Sequence, residues 1–449
     1  MQFQPPAHEQ FNQNKVATMS FQWGVLGPGR IESIRRVRTL GLAATTRHFN
    51  ERAVPGLGGV WFGKQLFLAT LGVLVAERAD ARGGQVTNIA AANAIEAIAC
   101  WLALHGEHRS GDSRLRGSTK LVGHTDLSFK KVRRPGFYVT QPMRMTTVTA
   151  LPALGLVEAA GSRFNSFTCS AEGQIFVEAV CEGSRPFNQS VLDYLVKWVC
   201  GEVHNVDSNA LRRALSPLQP LPPRARELLR ARLQQGAASE PAEDRMRRDD
   251  ALNWIKSRQG GTVPVAWASR PTQIRSAEHW ADLHAGALFF LARDAALAVL
   301  NELEIEIGSP DRRLALGAAV PQHVRNALDA LRVTAQAFLD TGSPTDEART
   351  FCRECASASE DEVLRHLVSR DGRILRRLGN DLCAGPAFQG GERHTEPDES
   401  NPEAAPSVEG PAWPAGISRR IHNLWWLGLD LEGQLDDWLV PATEETAHV

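Results

Sequence analysis

The sequence predicts a mainly α-helical protein that contains several domains. Its 449 residues exceed the roughly 100–200 residues of a single domain. A hydrophobic content of 43% with 22% charged residues is typical of a soluble globular chain. Apolar residues recur at helical spacing in most segments, as Ile95, Ile98, Trp101 and Leu102 do within residues 89–104. We therefore expect helices to carry most of the fold.

Charge and cysteine content suggest where the protein works. The 50 Lys and Arg nearly balance the 51 Asp and Glu, so only a local cluster of cations could attract a polyanion. The seven cysteines are scattered, and residues 1–6 lack the basic start and apolar core of a signal peptide. The most apolar run, residues 66–76, is shorter than the roughly 18–20 residues of a membrane span. We expect a reduced, cytoplasmic protein without membrane contact.

Composition shifts and proline clusters divide the chain into seven expected regions. Residues 384–415 hold six prolines and mostly acidic charge, which predicts a disordered linker. The regions are a flexible arm (1–20), an N-terminal helical region (21–110), a central domain (111–200), a proline-rich joint (201–223), a helical C-terminal domain (224–383), the linker (384–415) and a terminal Trp-rich helix (416–449).

The central domain carries a local basic stretch. No acidic residue occurs from position 127 to position 157, while the same stretch contains Lys130, Lys131, Arg133, Arg134 and Arg144. Clustered cations of this kind neutralise phosphates and release the counterions that surround DNA. The stretch is therefore the first candidate for a nucleic-acid surface, although a solvated charged face would have the same composition.

Local signals predict a helix, a hairpin and a second helix after the basic stretch. Thr140 can cap a helix that has Pro142 in its first turn and that ends at Gly155. Residues 156–159 and 164–168 can then form two strands around a turn at Gly161 and Ser162, and Ser170 begins a following helix.

This order resembles the winged helix-turn-helix domain of bacterial DNA-binding proteins over about residues 118–183. The resemblance implies a recognition helix from Pro142 that enters the major groove and a wing that touches the backbone or the minor groove. The implied DNA contacts are Lys130, Lys131, Arg133 and Arg134 on phosphates, Arg144, Thr146 and Thr147 in the groove, and Arg163 and Asn165 at the wing. Winged helices also serve as protein-binding modules, and that alternative stays open.

A Trp-rich amphipathic helix is expected at residues 417–439. Its apolar face must be buried somewhere, either on the rest of the chain or on a partner protein. The residues expected to make a partner contact are Leu424, Trp425, Trp426 and Trp438.

Other motifs give little support for an enzyme, a cofactor or a metal. The segment from Gly58 to Gln65 nearly matches a phosphate-binding loop, but Gln65 replaces the required Ser or Thr, so a turn into a buried helix is favoured. Cys352 and Cys355 form a lone C-x-x-C pair, too few ligands for a closed zinc site. We expect a non-enzymatic protein that binds double-stranded DNA. It would act either as a regulator or as a component of a multi-protein assembly. The alternatives are a structural subunit and an enzyme with dispersed catalytic residues.

Overall fold

The structure is a computed structural model that describes residues 38–107, 111–258, 265–390 and 411–439. It is 58% helical and 5% strand within that range, which confirms the mainly helical class. The longer helices are α1 (Ala43–Ala53), α2 (Gly63–Asp80), α3 (Asn88–Glu107), α8 (Ala171–Cys181), α9 (Val191–Val199), α10 (Asn209–Leu215), α11 (Pro223–Gln235), α12 (Ala242–Ser257), α13 (Ala277–Ile307), α14 (Gln322–Asp340), α15 (Asp346–Cys355), α16 (Glu360–Asp371) and α17 (Arg419–Glu432).

The short elements are one-turn helices and strands. The one-turn helices are α4 (Ser118–Leu121), α5 (Phe129–Val132), α6 (Arg144–Thr147), α7 (Ala150–Ala153) and α18 (Leu435–Trp438), and the strands are β1 (Val157–Ala159), β2 (Phe167–Cys169), β3 (Arg313–Ala315), β4 (Leu375–Leu378) and β5 (Asp381–Ala384).

The first hydrophobic core is built around α2. Fourteen further positions of α2 after Gly63 are buried, because α3, α8, α9 and the C-terminal α17 pack on different sides of it. Gly72 lets α2 and α3 approach closely, since a Cβ at this position would lie 2.5 Å from the Cα of Ala92. Residues between 53 and 283 and between 417 and 435 contribute to this core.

The second core is formed by α13–α16 and a three-stranded antiparallel sheet. Its residues lie between 40 and 49 and between 285 and 387. The strand order is β3-β5-β4, and Leu382 of β5 lies opposite Leu314 of β3 and Arg377 of β4. The sequence patterns did not predict this sheet.

One continuous helix, α13, belongs to both cores. Its 31 residues correspond to a length of about 46 Å at 1.5 Å per residue. Trp280 and Leu283 lie in the first core, and Ala285 through Ile307 lie in the second. The first-core residues Leu218 and Leu221 come from the expected joint at 201–223, and the change from first-core to second-core residues falls within α13. The expected domain boundary at that joint stays a prediction.

Several expected regions fall outside the described residues. They are the arm at 1–20 and most of the linker, residues 391–410. The domain boundaries at these positions stay predictions.

Two described helices, Asn88–Gly106 and Ala277–Ile307, are long and apolar enough to cross a membrane by length and composition. The protein itself buries 72% of the apolar window in the first and 56% in the second. Core helices of soluble proteins satisfy the same criterion, so composition alone does not assign either helix to a membrane.

The central segment follows the predicted order of elements but not the predicted recognition helix. Strands β1 and β2 pair antiparallel, with Glu158 opposite Thr168, and α8 follows them. The helix expected from Pro142 to Leu154 is instead two one-turn helices, α6 and α7. Pro152 contributes to the interruption because it has no N–H to donate to the carbonyl of Val148.

Candidate nucleic-acid interface

The basic segment, defined as Lys130, Lys131, Arg133 and Arg134, lies in α5 and in the turn directly after it. Phe129 and Val132 anchor this turn in the first core, where they are 4% and 3% exposed. The ring of Phe129 meets Trp198 edge to face at 5.3 Å, and the Trp198 indole N–H donates to the carbonyl of Leu127 at 3.0 Å. These contacts hold the backbone in place, so the intervening charged side chains point away from the core.

The cations of the basic segment are largely free of carboxylates. Lys130, Arg133 and Arg134 are exposed, and none has an ion-pair partner among the described residues. Lys131 Nζ lies 3.9 Å from Asp126 Oδ2, and both side chains are about half exposed. The pKa of Asp126 is lowered chiefly by hydrogen bonds from Ser128 and to a smaller extent by Lys131. The segment therefore presents a net positive surface.

Lys120 adds a cation that sequence reasoning missed. It is exposed, and its Nζ donates to the carbonyl of Tyr138 at 3.2 Å, just beyond the basic segment. Ten positions separate Lys120 from Lys130 in sequence, and the linear run of cations gave no signal for it.

The predicted groove residues do not form an exposed recognition face. Thr147 is fully buried, and its hydroxyl donates to the carbonyl of Arg144 at 2.9 Å. The Thr146 hydroxyl donates to the Met143 carbonyl at 2.6 Å. Arg144 is partly buried, where its Nε donates to Asn93 Oδ1 at 2.5 Å and its guanidinium lies 5.4 Å from the ring centre of Phe164. A groove contact by Thr147 would require this residue to leave the core.

Glu96 fastens the start of α6 to α3. Its side chain is 1% exposed and accepts hydrogen bonds from the Tyr138 hydroxyl at 2.9 Å, the Met143 N–H at 2.7 Å and the Arg144 N–H at 3.2 Å. Burial raises the pKa of Glu96, and these hydrogen bonds oppose the shift. The carboxyl group thus satisfies N–H groups at the beginning of a short helix, which keeps that helix inside the fold.

The hairpin is attached to the N-terminus of α3. Asn165 Oδ1 accepts from the Ile89 N–H at 3.0 Å, and Asn88 Nδ2 donates to the carbonyls of Phe164 and Phe167 at 3.1 and 2.8 Å. Asn165 therefore has a capping role, while Arg163 beside it is exposed. Asn88 follows Thr87, whose hydroxyl accepts from the Ala90 N–H at 3.2 Å.

The Trp-rich C-terminal helix docks on its own protein. Leu424, Trp425 and Trp426 are 0%, 2% and 2% exposed in the first core, and Trp426 packs against Trp61 at 6.4 Å. Trp438 is half-buried and meets Trp425 edge to face at 5.1 Å. Of the two alternatives for this helix, burial against the chain itself is the one observed.

The loop that nearly matches a phosphate-binding motif is filled by protein groups. Asp430 Oδ2 of α17 accepts from the Gly63 N–H at 2.7 Å, and Gln65 Oε1 accepts from the Trp61 N–H at 2.8 Å. Lys64 is 2% exposed and donates to the carbonyl of Ala214. A carboxylate thus occupies the helix N-terminus that a phosphate would need, as expected for a turn into a buried helix.

The C-x-x-C pair lies inside the second core. Cys352 and Cys355 are 0% and 1% exposed on one face of α15, and burial raises the pKa of the Cys352 thiol to about 12. Within the described parts of the chain, no three His, Cys, Asp or Glu residues come together as a metal site would require. Compared with protein-family models, curated proteins and solved structures, the chain matches none of them.

Proposed function

We propose that this chain is a non-enzymatic DNA-binding protein whose basic segment contacts the phosphate backbone of double-stranded DNA. The observation that carries the proposal is the exposure of Lys130, Arg133 and Arg134, without ion-pair partners among the described residues, in a chain of net charge −1. Phosphate contacts of this kind position a protein on a duplex and carry no base information.

The geometry favours backbone contact over base recognition. Major-groove recognition needs an exposed helix with side chains that can reach base edges. Here Thr147 is buried and Arg144 is engaged with Asn93, so α6 offers no such face in this conformation. Arg163 on the hairpin is exposed and supports an additional phosphate contact at the wing that the resemblance implies. We therefore expect weak sequence preference, in a cytoplasmic setting.

The test is binding of the full-length protein to a labelled random-sequence duplex across a salt series. Each phosphate contact contributes about −0.9 to the slope of log affinity against log salt for B-form DNA. A variant with Lys130, Lys131, Arg133 and Arg134 changed to Ser should lose several of these contacts, so we expect a slope that is shallower by about 3.

A charge-matched control distinguishes binding at the basic segment from non-specific electrostatic attraction between the protein and DNA. Arg47, Arg213, Arg353 and Arg377 are exposed and lie outside the basic segment, and changing all four to Ser removes the same charge. The control should keep the wild-type slope. An equal loss in both variants, or no wild-type binding at low salt, would contradict the proposal.

A further inference from the structure

A cavity of about 620 Å³ lies where the end of α2 meets the end of α8 and the start of α9. Val177 and Val196 are buried in its wall, and Leu192 adds a half-buried apolar surface. Ligand pockets commonly have volumes of about 300–1,000 Å³, so this cavity has room for a small organic molecule. It lies at the N-terminal end of α9, whereas the basic segment packs near the C-terminal end of that helix through Trp198.

Four arginines line the cavity, namely Arg78, Arg82, Arg185 and Arg224. Arg224 lies 3.7 Å from Glu182, in an ion pair of two exposed side chains. Arg78 donates to the neutral side chain of Gln174 at 3.4 Å. In the described part of the chain, Arg78, Arg82 and Arg185 have no carboxylate within ion-pair distance.

The three carboxylates of the cavity already have partners. Glu182 faces Arg224, Glu178 Oε1 accepts from Gln174 Nε2 at 2.8 Å, and Asp193 Oδ2 accepts from the Ser190 hydroxyl at 2.7 Å. Four guanidinium groups and three carboxylates leave a net charge of +1. Arg78, Arg82 and Arg185 are all exposed and have no acid within ion-pair distance in the described part of the chain, although the charge of Arg78 also opposes the raised pKa of the neighbouring Glu77. An anion could bind the unpaired arginines without displacing a carboxylate.

The start of α9 adds backbone donors to this positive region. Ser190 is the N-cap residue, and its hydroxyl oxygen accepts from the Asp193 N–H at 3.0 Å. Val191 and Leu192, the first two residues of α9, both line the cavity. Their backbone N–H groups have no acceptor among the residues the structure describes. Helix N-termini of this kind favour anions through their unpaired N–H groups and the helix dipole.

We propose that this cavity binds a phosphorylated small molecule of nucleotide size. Guanidinium groups match phosphate oxygens in a paired, planar geometry, and three unpaired arginines suit a group with two or three negative charges. The wall formed by Val177, Leu192 and Val196 would receive the uncharged part of the ligand. The binding needs no residue of the basic segment and is therefore independent of DNA binding.

The test is titration calorimetry of the full-length protein with ADP, with pyrophosphate as the anion alone and adenosine as the neutral part alone. We expect ADP to bind more tightly than adenosine. The double variant Arg82→Gln with Arg185→Gln should weaken ADP binding by about tenfold or more, because it removes two charged donors. The matched control, Arg213→Gln with Arg353→Gln, removes the same charge from exposed positions outside the cavity and should retain wild-type affinity.

The outcomes distinguish specific binding in the cavity from non-specific electrostatic attraction. Absence of heat with millimolar ADP, equal affinity for ADP and adenosine, or equal loss in both double variants would overturn the proposal. The variant with Ser at the four positions of the basic segment should bind ADP normally. Loss of ADP binding in that variant would instead place the anion on the DNA surface and would also overturn it.

Discussion

Individual buried carboxyl groups in this protein stabilise the beginnings of helices. Glu96 accepts three hydrogen bonds around the start of α6, and Asp430 accepts one from the first residue of α2. Burial raises the pKa of both carboxyl groups, while the hydrogen bonds that they accept from backbone N–H groups lower it to a smaller extent. The sequence did not identify either residue, because a lone acid within a helix gives no sign of the distant backbone that it will face.

The raised pKa of Glu96 predicts a pH-dependent contribution to stability. A carboxyl group whose pKa is raised by folding contributes most below its unfolded pKa, and this contribution is lost as pH rises through the folded pKa. The free energy of unfolding of the wild type, relative to Glu96→Gln, should therefore be larger at about pH 5 than at about pH 8.

Urea unfolding of both proteins at the two pH values measures this difference. The exposed Glu158→Gln variant is the control for a general effect of removing one acid. A difference that stays constant, or that grows with rising pH, would contradict the raised pKa.

At the scale of elements, periodic apolar patterns predicted helices well and short strands poorly. The spacing of apolar residues within 89–104 located α3 to within three residues, because this helix buries most of its positions. Strands β3, β4 and β5 have only three or four residues each, with arginines at several positions, so no alternating pattern was long enough to detect.

The exposed recognition helix expected from Pro142 is not observed, and the reason is a different one. One side of this segment is apolar and lies in the core, since Leu151 and Leu154 are fully buried. The polar face is also covered, because Asn93 and Glu96 of α3 hydrogen-bond with Arg144. A sequence shows which side chains are apolar, but it does not show when polar side chains will be buried with partners.

The two candidate sites, the basic segment and the arginine-lined cavity, also differ in how far the sequence could predict them. The cations of the basic segment are adjacent in sequence, and their exposure could be expected from the run itself. The four arginines of the cavity come from α2, the turn after α2, the loop after α8 and the start of α11, and only the packing of those elements brings them together.

Docking of α17 on the first core predicts a large effect of truncating its buried tryptophan. Trp425→Ala should lower the free energy of unfolding by about 3–5 kcal/mol, since the indole is 2% exposed and leaves a cavity. Trp438→Ala, on a half-buried ring, should cost clearly less. Urea unfolding of the two variants gives the comparison, and near-equal small losses would mean that α17 is not docked on the body.

At the scale of the whole molecule, α1 and α13 connect the two cores. Phe49 of α1 packs on Phe289 at 5.1 Å in the second core, whereas Ala53 of the same helix lies in the first. Each of the ten tryptophans in the described residues belongs to or packs against the first core, and none lies in the second. The fluorescence of these ten tryptophans therefore reports on the first core, while far-UV circular dichroism reports on both cores.

Because the cores share two helices, we expect a substitution that destabilises the second core to shift the unfolding transition of the first core as well. Phe338→Ala should lower the free energy of unfolding by about 3–5 kcal/mol, since Phe338 is fully buried in the second core. Its urea transition should shift equally by fluorescence and by circular dichroism, as cooperative unfolding requires.

The control for this variant is Val333→Ala on the same helix, where the side chain is 70% exposed. It should leave both transitions close to those of the wild type. A Phe338→Ala transition that shifts in circular dichroism alone would show that the cores unfold separately.

The hydrogen bond between Asp430 and Gly63 also sets an order of events while the chain is being synthesised. The two residues are 367 positions apart, so α2 is made long before its capping carboxylate. Every segment of the second core is available once residue 387 has been made, whereas the first core needs residues 417–435. The apolar surface that α17 covers around Trp61 therefore stays exposed on the ribosome until residues 417–435 have been made. The first core is therefore completed only after the second core.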